Sequence, residues 1–256
     1  LSSWLRNTND NFAVVDPKNY KKIKLKYKKK IATYKNIYEI KDLKKFNVII
    51  FAVKPQIIKN VLKKFSNIIF NKETLFISII AGKNIQYFQK LLTGKNQIIR
   101  VMPNMPASIE QGMTCMFANK QTTNRNKKFT KNLFQKVGKV ILFNKEEYLD
   151  KVTAISGSGP GYFYLFIYLF ELSAIKVGFN KQIAKELATQ TAFGATSLLN
   201  KSNHNSKKLM QNIAISGGTT EAGLKTFLKD KKLEKLINNA VKAALKRAKA
   251  LGKNNA

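Results

Sequence analysis

Short apolar runs recur through the first part of the chain and then stop. They lie at Phe12–Val15, Val48–Val53, Leu75–Ile80, Gln97–Val101, Met113–Phe117 and Lys139–Phe143. Runs this short, bounded by polar or glycine-containing breaks, have the length of strands rather than of buried helices. Between them, Gln56–Phe65, Ile85–Leu92 and Lys127–Val137 carry apolar residues at helical spacing. Strands that alternate with amphipathic helices build βαβ units and a parallel sheet covered on both faces. The lysine-rich stretch Lys18–Lys30 suits either a charged helix or a solvated loop, and Ser2–Arg6 reads as the tail of a helix.

After Asp150 the strand pattern vanishes. Gly161–Val177 is a strongly apolar helix, opened by Ser158-Gly159-Pro160 and closed by Gly178. Proline belongs in a first helical turn and glycine just beyond a last one. Ile183–Leu199 is a second helix, and Leu233–Leu251 a third, with one clean apolar face that ends at Gly252. The chain therefore divides into an α/β part, about Leu1–Asn144, and an all-α part, about Lys145–Ala256. The small helical part cannot cover the unbroken apolar run Tyr162–Phe170 by itself, and an intertwined dimer solves that problem. The run is also far short of the roughly 18–20 apolar residues that span a bilayer. No signal peptide is visible.

The formal net charge of +33 asks for a partner or a reason. Lysine-rich surfaces neutralise phosphates, so a nucleic-acid- or polyanion-binding protein is one reading. Yet the basic side chains are lysines apart from Arg6, Arg100, Arg125 and Arg247, and they are scattered along the whole chain. Base-reading surfaces favour arginine. Lysine, asparagine and isoleucine are abundant together, as A- and T-rich codons produce, so no specific nucleic acid is expected. Cys115 and His204 are each alone of their kind. That excludes intramolecular disulfides and cysteine cages, fits a reducing cytoplasm, and points to no metal site. His204 sits in the polar stretch Asn200–Asn205 and reads as a solvated side chain.

Three local features could carry chemistry. Phe51-Ala52-Val53-Lys54-Pro55 ends an apolar strand on a cation and a rigid turn. Open α/β sheets bind ligands beyond the carboxyl ends of their strands, although an ordinary strand terminator looks the same. Ser156-Gly157-Ser158-Gly159-Pro160-Gly161 reads as a flexible loop feeding a long buried helix. Free amides at a helix start suit an anion, but a domain hinge would have this composition too. Ser216-Gly217-Gly218-Thr219-Thr220-Glu221 opens another helix and adds two hydroxyls. A small acid with a polar ring atom needs amides for its carboxylate and a hydroxyl for its nitrogen. A capped helix start with Glu221 in a capping box is the plainer alternative.

Taken together these segments resemble one family. Ala52-Val53-Lys54-Pro55, Ile79-Ile80-Ala81-Gly82, Arg100-Val101-Met102-Pro103-Asn104-Met105-Pro106-Ala107, Ser156-Gly157-Ser158-Gly159-Pro160 and Ser216-Gly217-Gly218-Thr219-Thr220 occur in the order and spacing of pyrroline-5-carboxylate reductases. The resemblance is dense from about Val48 to Phe227. It implies a Rossmann-like N-terminal domain and an all-α C-terminal dimerisation domain. The implied reaction is hydride transfer from NADPH or NADH to the imine carbon of 1-pyrroline-5-carboxylate, giving L-proline and NADP or NAD. Val53, Lys54 and Ala81 fall where the family lines the cofactor cleft, and Asn212 where the helical domain touches the cofactor. Glu146, Gly218, Thr219 and Thr220 fall at substrate-contacting positions. Thr220 is then the catalytic residue, hydrogen-bonded to the ring nitrogen, with solvent supplying the proton.

The resemblance also implies departures and choices. The family opens with a strand and a glycine-rich fingerprint, and this chain begins after the place they would occupy. A proline is usual at the position of Ser216. Asp16, which closes the run Phe12–Val15, corresponds to the end of the second Rossmann strand. A carboxylate there accepts from adenosine ribose hydroxyls and repels a 2′-phosphate, which leans the choice towards NADH. Lys18, Lys21 and Lys22 lean the other way. A catalytically silent relative would carry many of the same motifs.

Overall fold

The computed structural model describes residues 1–253. By contacts the described residues form two compact units, one of residues 1–157 with 245–253, the other of residues 158–244. The first contains α1 (Ser2–Asn7), β1 (Phe12–Val15), α2 (Tyr20–Tyr27), β2 (Ile31–Tyr34), β3 (Val48–Phe51), α3 (Ile58–Leu62), β4 (Leu75–Ser78), α4 (Ile85–Leu91), β5 (Gln97–Met102), β6 (Gly112–Ala118), α5 (Asn124–Gln135), β7 (Gly138–Leu142) and α6 (Tyr148–Val152). Strands β1 and β2 pair in parallel as one small sheet, and β3-β4-β5-β6-β7 form a second in that spatial order.

The larger sheet departs from the parallel expectation at one place: β6 runs antiparallel to β5, Arg100 facing Phe117, while β3, β4 and β5 are mutually parallel. Strand β2 was not foreseen, because Ile31-Ala32-Thr33-Tyr34 is brief and follows a run of lysines. The stretch 18–30 is mostly helix, α2 and then a 3₁₀ turn over Lys28–Lys30.

Side chains on a strand point alternately to its two faces, and here both faces are covered. All four residues of β4 are buried. Phe76 joins Phe51, Ile58, Leu62, Phe88 and Ile98 on one side, while Leu75 and Ile77 join Ile99, Val101, Met116, Leu133 and Phe134 on the other. Trp4 of α1 packs edge-on against Phe134. Helix starts are set by short polar side chains that accept a first-turn amide. Asn84 caps α4 through the Tyr87 amide and Thr123 caps α5 through that of Asn126.

The second unit holds α7 (Gly159–Lys176), α8 (Lys181–Lys201), α9 (Ser206–Ile213) and α10 (Thr219–Leu228), with the greater part of α11 (Lys232–Lys253). Asn180 and Asn205 cap α8 and α9. Within one chain α7 is not the buried helix its composition suggests. From Tyr162 to Phe170 every residue except Ile167 is exposed. Nor is Ser156–Gly161 a loop. Thr153–Gly157 form a π-helical turn that continues α6, with Thr153 Oγ1 donating to the Leu149 carbonyl, and α7 starts at Gly159.

The sequence pattern changes at 144/145, whereas contacts divide the chain after Gly157. The reason is that segment 145–157 is bonded to the sheet. Arg100 of β5 reaches Glu146 and Asp150, and the Asn104 amide donates to the Ser156 carbonyl at 3.0 Å. Residues 245–253 also belong with the first unit: Ala248 is buried, and Leu251 lies against Gly82.

Candidate active site

Two clusters of functional groups form, one in each unit. In the first, β3 and β4 end side by side, since the Ile79 amide donates to the Phe51 carbonyl at 3.1 Å. The chain leaves β3 through Val53, Lys54 and Pro55, and leaves β4 through Ala81 and Gly82. Val53 and Ala81 are therefore neighbours in sheet order at one carboxyl edge, each partly buried, with Lys54 exposed beside them. Gly82 takes φ +75, and a Cβ there would meet Leu251 at 3.0 Å, so both the turn and the close approach require glycine.

The next residue, Lys83, is almost wholly buried, with Nζ 4.3 Å from the centre of the Tyr87 ring. Burial, with Lys59 nearby, pushes its pKa below the ordinary lysine value. Asp16 lies past the end of β1 in the small sheet. Its Oδ1 accepts from the amides of Lys18 and Asn19 and its Oδ2 from Asn19 Nδ2, each at 3.0 Å. The Asn19 side chain, outweighing partial desolvation, and then those backbone amides hold the carboxyl below its usual range.

Glu146 precedes α6 and closes a connection between three elements. Its Oε1 accepts from the Ile85 amide at 2.8 Å and from Arg100 Nη1 at 3.3 Å, while Arg100 Nη2 donates to Asp150 Oδ1 at 2.9 Å. The Arg100 side chain is 5% exposed. Glu146 also lines an open cavity of about 300 Å³ with Ile85, Gln86, Phe117, Asn119 and Lys120 among its walls. Asn104 ties two motifs: its Oδ1 accepts from the Met113 amide at 2.8 Å and its Nδ2 donates to Ser156.

In the second unit Gly218 is the residue before α10, with extended backbone, and Thr219 and Thr220 are the first two helical residues. The Ala222 amide donates back to the Gly218 carbonyl. The amides of Thr219, Thr220 and Glu221 precede any helical acceptor, as at every helix start. Glu221 Oε2 accepts from the Gly217 amide at 2.9 Å and its Oε1 meets Lys225 at 3.2 Å. Gly218 has no side chain to cap the helix and Glu221 accepts from Gly217, one residue earlier, so no capping box forms, and the first-turn amides keep no helical acceptor. Asn212 sits on α9, exposed, one short turn earlier in the chain.

Of the residues singled out from the sequence, Val53, Lys54 and Ala81 converge on one sheet edge, and Gly218, Thr219 and Thr220 on one helix start. The sequence by itself assigns Arg100, Asn104 and Asp150 no role. A signal for Arg100 was present, a charge inside the otherwise apolar run Ile98-Ile99-Arg100-Val101. Cys115 is buried, and burial pushes its thiol up to about 11, which leaves no nucleophile there at neutral pH. Among the described residues no group of three or more histidine, cysteine, aspartate or glutamate side chains could hold a metal. No helix among them is long and apolar enough to cross a membrane.

Residues 146–251 match the family pattern described as pyrroline-5-carboxylate reductase dimerisation. The pyrroline-5-carboxylate reductase of Vibrio alginolyticus is 36% identical over 209 residues, covering 81% of this chain and 76% of that one. The pyrroline-5-carboxylate reductase 2 of Bacillus subtilis is 37% identical over 203 residues, 79% of this chain and 71% of its own. Among solved structures, the Coxiella burnetii pyrroline-5-carboxylate reductase superposes with a TM-score of 0.88 at 30% identity, over 98% of this chain and 92% of that one. The Plasmodium falciparum pyrroline carboxylate reductase with NADP bound gives 0.73 at 33% identity, over 82% and 78%.

Proposed function

Since the chain belongs to the pyrroline-5-carboxylate reductase family, we propose that its first unit holds the dinucleotide and its helical unit the imine. The enzyme reduces 1-pyrroline-5-carboxylate to L-proline with NAD(P)H, the last step of proline biosynthesis, and works as a homo-oligomer. In domain terms, residues 1–144 serve dinucleotide binding and residues 145–256 serve dimerisation and substrate binding.

The carboxyl edge of β3 and β4 fits a nicotinamide. Val53 and Ala81 are small and partly buried, and the tight turn at Gly82 brings backbone close to the edge. Bound there, the nicotinamide supplies the hydride. Val53, Lys54 and Ala81 orient it, and Asn212 is a further cofactor contact by the family's pattern. Asp16, its carboxylate already fixed by its own turn, is placed to accept from ribose hydroxyls, which favours NADH over NADPH.

The observation that carries the substrate reading is the start of α10. First-turn amides hold a carboxylate through the helix dipole and direct hydrogen bonds. Thr219 and Thr220 are the first two residues of the same turn, and Glu146 is a further substrate contact by the family's pattern. Thr220 hydrogen-bonds the ring nitrogen, whose charge changes as hydride reaches the adjacent carbon. Reduction then depends on orientation, and solvent protonates the nitrogen. The single buried cysteine suits the cytoplasm, where we place the enzyme.

The test is Thr220→Ala in the full-length enzyme. One lost hydrogen bond of this kind costs about 1–3 kcal/mol, so kcat falls roughly 5- to 150-fold while the KM for dinucleotide stays put. Unchanged kinetics, or a loss confined to the dinucleotide KM, removes Thr220 from the role.

A further inference from the structure

We propose that Arg100 is a positioning residue of this enzyme, which acts on the substrate through Glu146. This rests on the reading of Glu146 as a substrate contact and adds what holds it there.

A guanidinium this deeply buried is costly unless its donors are paired, because desolvation is only offset by close, well-aligned carboxylates. Arg100 has two, Glu146 at 3.3 Å and Asp150 at 2.9 Å. They arrive from one segment on different nitrogens, so the planar fork sets the orientation of that segment against β5 as well as its charge. Lysine, a point charge on a flexible stem, cannot span both in the same way.

The consequence falls on Glu146. Its Oε1 is taken twice, by Arg100 Nη1 and by the Ile85 amide. Two donors from two elements, β5 and α4, pin the carboxylate. Among the described residues none donates to Oε2, so that oxygen keeps its accepting capacity. Among the described residues Glu146 is the one carboxylate on the wall of the open cavity of about 300 Å³, which it shares with Lys120, and the volume is at the small end of ligand pockets. The cluster holds two carboxylates against one guanidinium, which leaves one negative charge uncompensated within it. An iminium ring is a small cation, and a pinned carboxylate with one oxygen to spare suits it. Asp150 anchors the far end of the guanidinium, which makes it the second member of the same device.

The experiment is a double-mutant cycle in steady-state kinetics on the full-length enzyme, with 1-pyrroline-5-carboxylate and the dinucleotide varied separately. Arg100→Lys is expected to raise the KM for the imine tenfold or more and to leave the dinucleotide KM within twofold. Glu146→Gln is expected to do the same. The double variant should be no worse than the poorer single variant, because both changes release the same carboxylate. Additive losses, or a change in the dinucleotide KM as large as that for the imine, would mean that Arg100 supports the fold generally and would overturn the proposal. If Arg100→Lys does not fold, Asp150→Asn keeps the guanidinium but loosens its far end. It should raise the imine KM severalfold, and an unchanged value would overturn the proposal as well. A Glu146→Gln enzyme with wild-type constants for the imine points elsewhere: it removes Glu146 from the substrate, and Arg100 with it.

Discussion

Phe166→Asp in α7 separates association from folding, because that side chain is 51% exposed within its own chain. A phenylalanine presents roughly 200 Å², so about 100 Å² of Phe166 remains for a partner to cover. At about 25 cal/mol per Å² its burial contributes roughly 2.5 kcal/mol. A two-fold interface contains the residue twice, which makes about 5 kcal/mol before the cost of burying two unpaired carboxylates. Each 1.4 kcal/mol is about tenfold in Kd. Even after a generous reduction for incomplete coverage, the substitution should weaken association at least 100-fold. Phe166 stacks on Phe170 in the same helix, so Phe166→Leu, which keeps an apolar face, is the control. Sedimentation velocity at about 1 μM should show wild type and Phe166→Leu associated and Phe166→Asp dissociated. Far-ultraviolet circular dichroism at high concentration should show the helices of the aspartate variant preserved. An aspartate variant that sediments like wild type would refute the argument, since α7 would then lie outside the interface.

Cofactor choice and the buried lysine give two further tests. Wild type should use NADH at least as well as NADPH, and Asp16→Ser should shift the kcat/KM ratio towards NADPH. A wild-type preference for NADPH of tenfold, about 1.4 kcal/mol, would show that Lys18, Lys21 and Lys22 outweigh the carboxylate. Lys83→Met should stabilise the protein at pH 7 by roughly 1 kcal/mol, a few degrees in Tm. The folded-state pKa of Lys83 is depressed, so its cost is fully present while both states are protonated. That cost fades as pH rises from the depressed value towards the ordinary lysine value. A thermal melt series in which the gain does not shrink with rising pH, or in which Lys83→Met is destabilising, would rule this out.

The chain carries in its order of residues whatever depends on near neighbours. Strand β4 is legible as a short apolar run bounded by breaks, buried on both faces, and α4, α8 and α11 as apolar residues at helical spacing. Motif order alone pointed to the family, and so to Thr220 and Ala81. Periodicity does not encode direction, so the antiparallel turn of β6 against β5 was invisible, and the brief β2 lacked enough apolar residues to stand out after the lysines. Small residues at 156–161 suggest a loop, whereas 153–157 are a π-helical turn in which the Thr153 and Ser156 hydroxyls donate to carbonyls one turn earlier. Only the tertiary structure could bring Arg100 to Glu146 and Asp150, 46 and 50 residues along the chain. A buried guanidinium must find its carboxylates wherever the fold delivers them, and no local pattern records that meeting.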